Sequence, residues 1–343
     1  MVMGDGARRG EESCDVGRAA PIRPPSSSFI ETLPLPTPFP VGPVNVHLIL
    51  RDPVTLVDSG PLTAVAWEAL RAGLASRGRA VEDVKRVLLT HGHHDHYGLA
   101  AKVADASGAQ VLGGALDRKN FRQERNRKLL LDDMARSGFD VATRFGVVAS
   151  IAAVDRFAEP LEAWDELKGG ETLPGDGWSV LVRSTPGHTP GSLTFEIPGE
   201  GVLFTGDTVL KEITPNAVVD EDPSEPGRPF RSVTTYFRTL EEFGRAHTGA
   251  TLLTGHGAPI PDWHAHKGTL DRRYGLRVSQ IVRQLAKGPS NVRDLVTAIF
   301  PRVKTLNVFL AYSEILGFLM YLEDIGRVEK LVEETRDRYR LAA

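Results

Sequence analysis

The chain of 343 residues has a single cysteine, Cys14. One thiol excludes an internal disulfide and argues against a thiolate-held metal, and the usage fits a reducing compartment, so a cytoplasmic protein is expected. Long apolar runs are also missing. No stretch reaches the eighteen or so residues of a membrane-spanning helix, so no membrane partner is expected. The N-terminal MVMGDGARRGEESCDVGRAAP lacks the apolar segment of a secretory signal. An excess of one charge is absent too: a formal net charge of −3 gives no global basic field of the kind nucleic-acid binders often carry. What remains, 41% hydrophobic and 25% charged residues, is the composition of an ordinary globular chain, long enough for about two domains.

Residues 1–28 are rich in Gly, Arg, Glu, Pro and Ser and read as a flexible tail. The closely spaced prolines of 31–44 predict an extended run, as an edge strand or polyproline stretch. Short apolar runs at 45–50 and 54–58, a helical pattern at 63–78, a buried strand at 84–90, a helix at 99–108 and a strand at 109–114 then follow. This order implies a layered α/β domain. Residues 115–170 read as a mostly helical insertion that would act as a lid. Strands resume at 178–185, 192–198 and 201–207, and a helix at 234–247 and a strand at 251–255 close the α/β part, set at 29–261. From 262 to 343 three helix patterns (263–288, 291–301, 306–326) precede a ribbon at 327–342, the outline of a winged-helix-like domain. The apolar helix LNVFLAYSEILGFLMYL offers itself either to a core or to an oligomer interface formed by the C-terminal helices.

The chemistry concentrates in THGHHDHYG (90–98), between an apolar strand and a helix, where side chains project into a cleft. His91, His93, Asp95 and His96 crowd too tightly to wrap one tetrahedral ion but can serve two adjacent ions, and imidazole with carboxylate suits zinc and other borderline divalent metals. Three later loops add His188 in PGHTPGS, Asp207 in TGDTV and His256 in TGHGAP, each just after an apolar run and flanked by Gly or Pro. His94 is expected to point away from the cleft, His47 to sit in a strand, and His247, His264 and His266 to lie on or near helix surfaces. Tyr97, Phe230 and Tyr236 are candidates for either the pocket or the core. The basic run RKNFRQERNRK (118–128) reads as a solvated face or, alternatively, an anion site.

HxHxDH, GHTPGS, GDT and GHG in this order resemble the metallo-β-lactamase superfamily over about residues 31–260. The resemblance implies an α/β fold, the αββα sandwich. It also implies two divalent ions, zinc foremost with iron or manganese as alternatives. His91, His93 and His188 would hold the first ion, Asp95, His96 and His256 the second, and Asp207 would bridge them. A hydroxide between the ions would be the nucleophile, and Asp95 would orient it and handle a proton as the catalytic residue. Asp58 in VDSG matches the family's buried aspartate and is expected to hold a ligand histidine in register.

True β-lactamases of the family lack the bridging aspartate and commonly use a cysteine ligand, so β-lactam hydrolysis is not expected. The Asp-bridged set resembles glyoxalase II, a thioester hydrolase, and the RNA-processing members. The C-terminal segment resembles the β-lactamase-like protein 2 group, which carries a winged-helix-like domain. RRYGLRVSQI (272–281) stands where that group has an HRxxRExQI-like stretch, with Arg273 at the place of its usual histidine. The positive balance after residue 262, about +4, is too small to argue for nucleic acid. The expected activity is hydrolysis of a small thioester or ester, such as an acyl-CoA-like conjugate. An endoribonuclease or phosphodiesterase acting on single-stranded RNA is the alternative.

Overall fold

The computed structural model describes residues 28–343 except 216–217, 247–248 and 304–305. Cys14, His247 and the tail before Ser28 lie outside the described residues.

The first sheet has six strands in chain order: β1 (Ile30–Leu35), β2 (Val44–Ile49), β3 (Thr55–Val57), β4 (Arg86–Leu88), β5 (Gln110–Gly114) and β6 (Asp165–Leu167). β1 to β3 pair antiparallel and β3 to β6 parallel. Parallel neighbours need crossovers. α1 (Ala64–Ala75) links β3 to β4, and α2 (His94–Tyr97) and α3 (Ala100–Ser107) link β4 to β5. The Thr63 hydroxyl caps α1 by accepting from Ala66 N–H, and Gly108 ends α3 in the left-handed region that an L side chain resists.

Between β5 and β6 stand α4 (Arg118–Phe121), α5 (Arg127–Arg136) and α6 (Val141–Val154). The stretch 115–170 is thus not helical throughout. Leu112–Gly114 pair with Asp165–Leu167, so its end returns to the first sheet as an edge strand.

The second sheet runs β11 (Thr251–Thr254), β10 (Val202–Gly206), β9 (Leu193–Ile197), β8 (Trp178–Ser184), β7 (Thr172–Gly175). α7 (Ser232–Ala246) makes the parallel crossover from β10 to β11. The chain ends in α8 (Trp263–Leu285), α9 (Val292–Ile299), α10 (Leu306–Asp324) and the antiparallel ribbon β12 (Val328–Val332) and β13 (Asp337–Leu341). Ser290, between α8 and α9, exchanges backbone hydrogen bonds with Tyr339 and so extends the ribbon. No described helix is long and apolar enough to cross a membrane.

Three apolar cores hold the layers apart. Ile49, Val57, Leu88 and Leu112 of the first sheet meet Val182, Phe195 and Phe204 of the second. Leu56, Val87 and Leu89 pack on the other face against Leu70 and Leu74 of α1 and Val103 of α3. Outside the second sheet, Leu203 and Leu252 share one core with Leu240 of α7, Ile281 of α8, Leu319 of α10 and Ile151 of α6. The result is the helix–sheet–sheet–helix sandwich. α10 is buried in this last core through Tyr312, Ile315, Leu319 and Leu322, so much of its apolar surface packs within the chain.

Candidate metal centre

The strand ends meet along one edge of the sandwich. β3 delivers Asp58, β4 delivers His91 to His96, the β8–β9 turn delivers His188, β10 delivers Asp207 and β11 delivers His256. All seven residues singled out in the sequence converge there. His93 Nδ1 lies 3.0 Å from both His91 Nε2 and His188 Nε2. His96 Nε2 lies 3.5 Å from Asp207 Oδ1 and 4.0 Å from Asp95 Oδ1, and His256 Nε2 lies 3.4 Å from Asp95 Oδ2 and 3.7 Å from Asp207 Oδ2. Three overlapping groups have ligand atoms within 4.8 Å of one another: His91–His93–His188, His91–His96–Asp207 and Asp95–His96–His256.

Hydrogen bonds on the far side of each ring decide what faces this cluster. Asp58 accepts from Thr90 N–H at 2.8 Å, from the Thr90 hydroxyl at 2.9 Å and from His96 Nδ1–H at 2.8 Å. The Thr90 hydroxyl has spent its only proton on Asp58, so it accepts from His91 Nδ1–H at 3.0 Å. His256 Nδ1–H donates to the Pro43 carbonyl at 2.8 Å. His91, His96 and His256 therefore each turn a bare Nε2 towards carboxylates and other imidazoles. His96 Nε2 and Asp207 Oδ1 are buried without a hydrogen-bond partner among the described residues. Acceptors facing acceptors in a buried site are satisfied by a shared proton or a cation. The donor set of imidazole nitrogens and carboxylate oxygens fits a borderline divalent metal.

The electrostatics agree. Burial, reinforced by the surrounding histidines, holds His91 well below its ordinary pKa, and burial and His188 do the same for His93. Burial opposes charge on His96 as well, but Asp207, Asp58 and Asp95 outweigh it and raise this ring to about 10. The carboxylates thus create a demand for positive charge at the cluster.

Close backbone approach completes the centre. A Cβ on Gly255 would stand 2.3 Å from Asp207 Oδ1 and 2.7 Å from His96 Cε1. Gly206, at φ +48°, lies against Thr90, where a Cβ would come within 2.4 Å of the hydroxyl. Only glycine leaves Asp207, His96 and Thr90 in place at these positions.

The other histidines fall outside the cluster. His94 Nε2 pairs with Asp155 Oδ1 at 3.2 Å, and buried His47 bonds Thr32 within the first sheet. His266 Nε2 meets the Leu210 carbonyl at 2.9 Å, and His264 is exposed. Tyr97 and Tyr236 are buried, and Tyr236 donates to the Thr208 carbonyl beside Asp207.

Sequence reading missed Asp117. This fully buried carboxylate accepts from Gly92 N–H at 2.7 Å, from the Thr189 hydroxyl at 2.7 Å and from Gly191 N–H at 2.8 Å. It ties the loop of His91 and His93 to the loop of His188. Burial pushes its pKa up to about 6. Its only signal in the sequence is an aspartate just beyond the apolar run VLGG.

The cluster opens into a cleft. Its walls are apolar: Val41, Ile151 and Val154 of α6, Leu210, and Phe309 and Leu310 of α10. The basic run resolves into separate ion pairs. Arg118 pairs with Glu166, Lys119 with Glu221, Arg127 with Asp155 and Lys128 with Asp132. Arg125 instead lines the cleft.

Two sheets face to face between helices, with a His/Asp cluster on the loops of one edge, define a metallo-hydrolase architecture. The chain belongs to the metallo-beta-lactamase superfamily, whose profile matches residues 39–256. It is similar to "Probable metallo-hydrolase YqjP" of Bacillus subtilis (strain 168), 27% identical over 84% of this chain and 90% of that protein. A "Hydroxyacylglutathione hydrolase" of Anaeromyxobacter dehalogenans is 31% identical over 60% of this chain, which spans 58% of that relative's length. Among solved structures, a metallo-beta-lactamase family protein from Thermus thermophilus superposes with a TM-score of 0.76 at 27% identity, covering 91% of this chain and 98% of that one.

Proposed function

We propose that this chain is a metal-dependent hydrolase of small thioesters or esters. His91, His93 and His188 would hold one divalent ion, Asp95, His96 and His256 a second, and Asp207 would lie between them; zinc fits the donors best, with iron or manganese as alternatives. When bound, the ions supply Lewis acidity at the scissile carbonyl and a nucleophile at neutral pH, by lowering the pKa of water to about 7.

The chain's own groups do the rest. Asp95 is held ionised well below the usual carboxylate range, since His96 and His256 outweigh the burial that opposes its charge. It can therefore accept a hydrogen bond from the attacking water and orient it. Asp58 and Pro43 fix the proton of His96 and His256 on the far nitrogen. α6 serves as a lid and α10, part of a winged-helix-like unit spanning 262–343, as a wall. Together they exclude bulk water from the reacting carbonyl.

The observation that carries the thioester reading is the largely apolar cleft directly over the cluster, which suits an acyl group; Arg125, the one Lys or Arg among its described lining residues, is too little for a phosphate backbone to track. The hydroxyacylglutathione hydrolases named among the relatives act, by their name, on a thioester, which supports the same reading. Single-stranded RNA is the weaker alternative, because four cations of the basic run are already paired within the chain. The test is a panel of acyl thioesters and a labelled single-stranded RNA given to the purified, metal-loaded protein. Thioester turnover abolished by a chelator and restored by metal is expected. RNA cleavage that is lost in Asp95→Ala, without any thioester turnover, would overturn the proposal.

A further inference from the structure

Of the cations in the 118–128 run, Arg125 is the one turned into the cleft, beside His93 and His188. It is half-buried, and its only described side-chain bond is from Nε to Asn120 Oδ1 at 3.3 Å. No carboxylate lies within ion-pair distance of it among the described residues, and neither terminal nitrogen has a partner there. A half-buried guanidinium beside apolar walls, with no carboxylate at ion-pair distance, offers its two terminal nitrogens to an arriving anion in the fork geometry that carboxylate and phosphate match.

The loop that carries Arg125 is fixed in place. Gln123, at φ 57°, donates its side-chain amide to the carbonyls of Asp155 at 3.1 Å and Ala158 at 2.9 Å. Glu124 N–H donates to the Lys119 carbonyl at 2.8 Å, and the Asn126 side chain caps α5. An anion arriving at the fork therefore meets a side chain whose backbone is already ordered, which keeps the entropic cost of binding low.

Arg125 also stands where the cleft joins a second, smaller pocket, and both spaces share His93, Ile151, His188 and Phe309. The second cavity carries Asp133, Asp220 and Glu221, which are engaged by Tyr312, Asn120 and Lys119.

We infer that Arg125 is a specificity-determining residue that selects substrates with an oxyanion group, carboxylate or phosphate, a short distance from the scissile carbonyl. This deepens the thioester reading and rests on it. The substrate is then an amphipathic acyl conjugate. Its apolar part lies against Ile151 and Phe309, its carbonyl sits at the His/Asp cluster, and its anion is held by the guanidinium fork.

The test compares three thioesters: butyryl-N-acetylcysteamine, which is neutral; succinyl-N-acetylcysteamine, which adds a carboxylate near the carbonyl; and S-butyryl-2-mercaptoethyl phosphate, which adds a phosphate near it. The readout is the ratio of kcat/KM for each anionic substrate to that of the neutral one. In Arg125→Met that ratio should fall about 10- to 100-fold for whichever anion the site takes, the range expected for a lost charge-assisted pair. Arg125→Lys should lie between, because it keeps the charge and loses the fork. Ratios within about twofold of wild type for both anions in Arg125→Met would overturn the assignment.

Binding is read separately, by calorimetric titration of the loaded protein with succinate and with inorganic phosphate. At least one of the two should bind about tenfold more weakly to Arg125→Met. Equal affinities for both would overturn the assignment even if no thioester is cleaved, whereas a wild-type protein that cleaves none of the three defeats the thioester reading alone.

Discussion

Replacing Asp58 by Asn probes the centre through a single proton. The backbone at residue 58 is left-handed, φ 62°, a conformation Asn adopts as readily as Asp, so the change is nearly isosteric and unstrained. One amide oxygen can still accept from Thr90 N–H and from its hydroxyl. The other position becomes an NH2 facing His96 Nδ1, where a carboxylate oxygen stood at 2.8 Å. A donor cannot accept the Nδ1 proton, so the imidazole must carry it on Nε2, which then points at Asp207 and Asp95 as N–H instead of a lone pair. Flipping the amide would leave buried Thr90 N–H facing a donor, at a cost of about 1–3 kcal/mol. Either way the metal position proposed for Asp95, His96 and His256 would lose a ligand or its support. Changes of this kind weaken metal binding by about 10- to 100-fold, or about 1.4–2.8 kcal/mol. Competition with a chromophoric chelator, with ions per chain counted by native mass spectrometry, should show wild type keeping two ions where Asp58→Asn keeps one. Two ions with unchanged competition midpoints in Asp58→Asn would refute the tautomer argument.

Two further outcomes follow from buried carboxylates. Asp117→Ala leaves the amides of Gly92 and Gly191 without their acceptor, so urea denaturation should show a loss of about 2–6 kcal/mol at about 1–3 kcal/mol per orphaned group; an unchanged midpoint would contradict its role as a clamp between the ligand loops. Asp133 joins α5 to α10 by accepting from the Tyr312 hydroxyl, and burial raises its pKa above the ordinary 3.8 despite that bond. The folded state then binds more protons than the unfolded one between 3.8 and the raised value, so this group's contribution to stability falls as pH rises through that window. Asp133→Asn should flatten that part of the thermal-melting profile, and an identical slope in variant and wild type would show that the group does not titrate there.

The convergence of the seven His/Asp residues was legible in the sequence because the loops that carry them follow apolar runs and contain glycines that let the chain turn at a strand end. Asp58 was legible for the same reason. Asp117 was not, since its partners Gly92 and Gly191 lie 25 and 74 residues away and no local pattern encodes the meeting. β6 and β7 escaped notice because they are short edge strands, one with two acidic residues and one with a proline, and neither alternates apolar with polar residues. The basic run looked like a single charged face because its partners Glu166 and Glu221 are 48 and 102 residues from Arg118 and Lys119. α10 could not be assigned to core or interface from its pattern, since a helix apolar on every side has no preferred face until a neighbour covers it.

Ile151 and Phe309, which wall the cleft from α6 and α10, belong to the same apolar core as the outer face of the second sheet. Substrate choice and folding stability are therefore written in the same atoms. Widening the cleft by trimming either residue opens a void in tightly packed surroundings, so variants with new substrate range should arise as compensated pairs rather than as independent steps. Grafting the C-terminal helices of a relative onto this chain would replace half of a shared interior together with the wall it presents, and its success would depend on complementarity to Leu203, Leu252 and Leu240 as much as on any fit to a substrate.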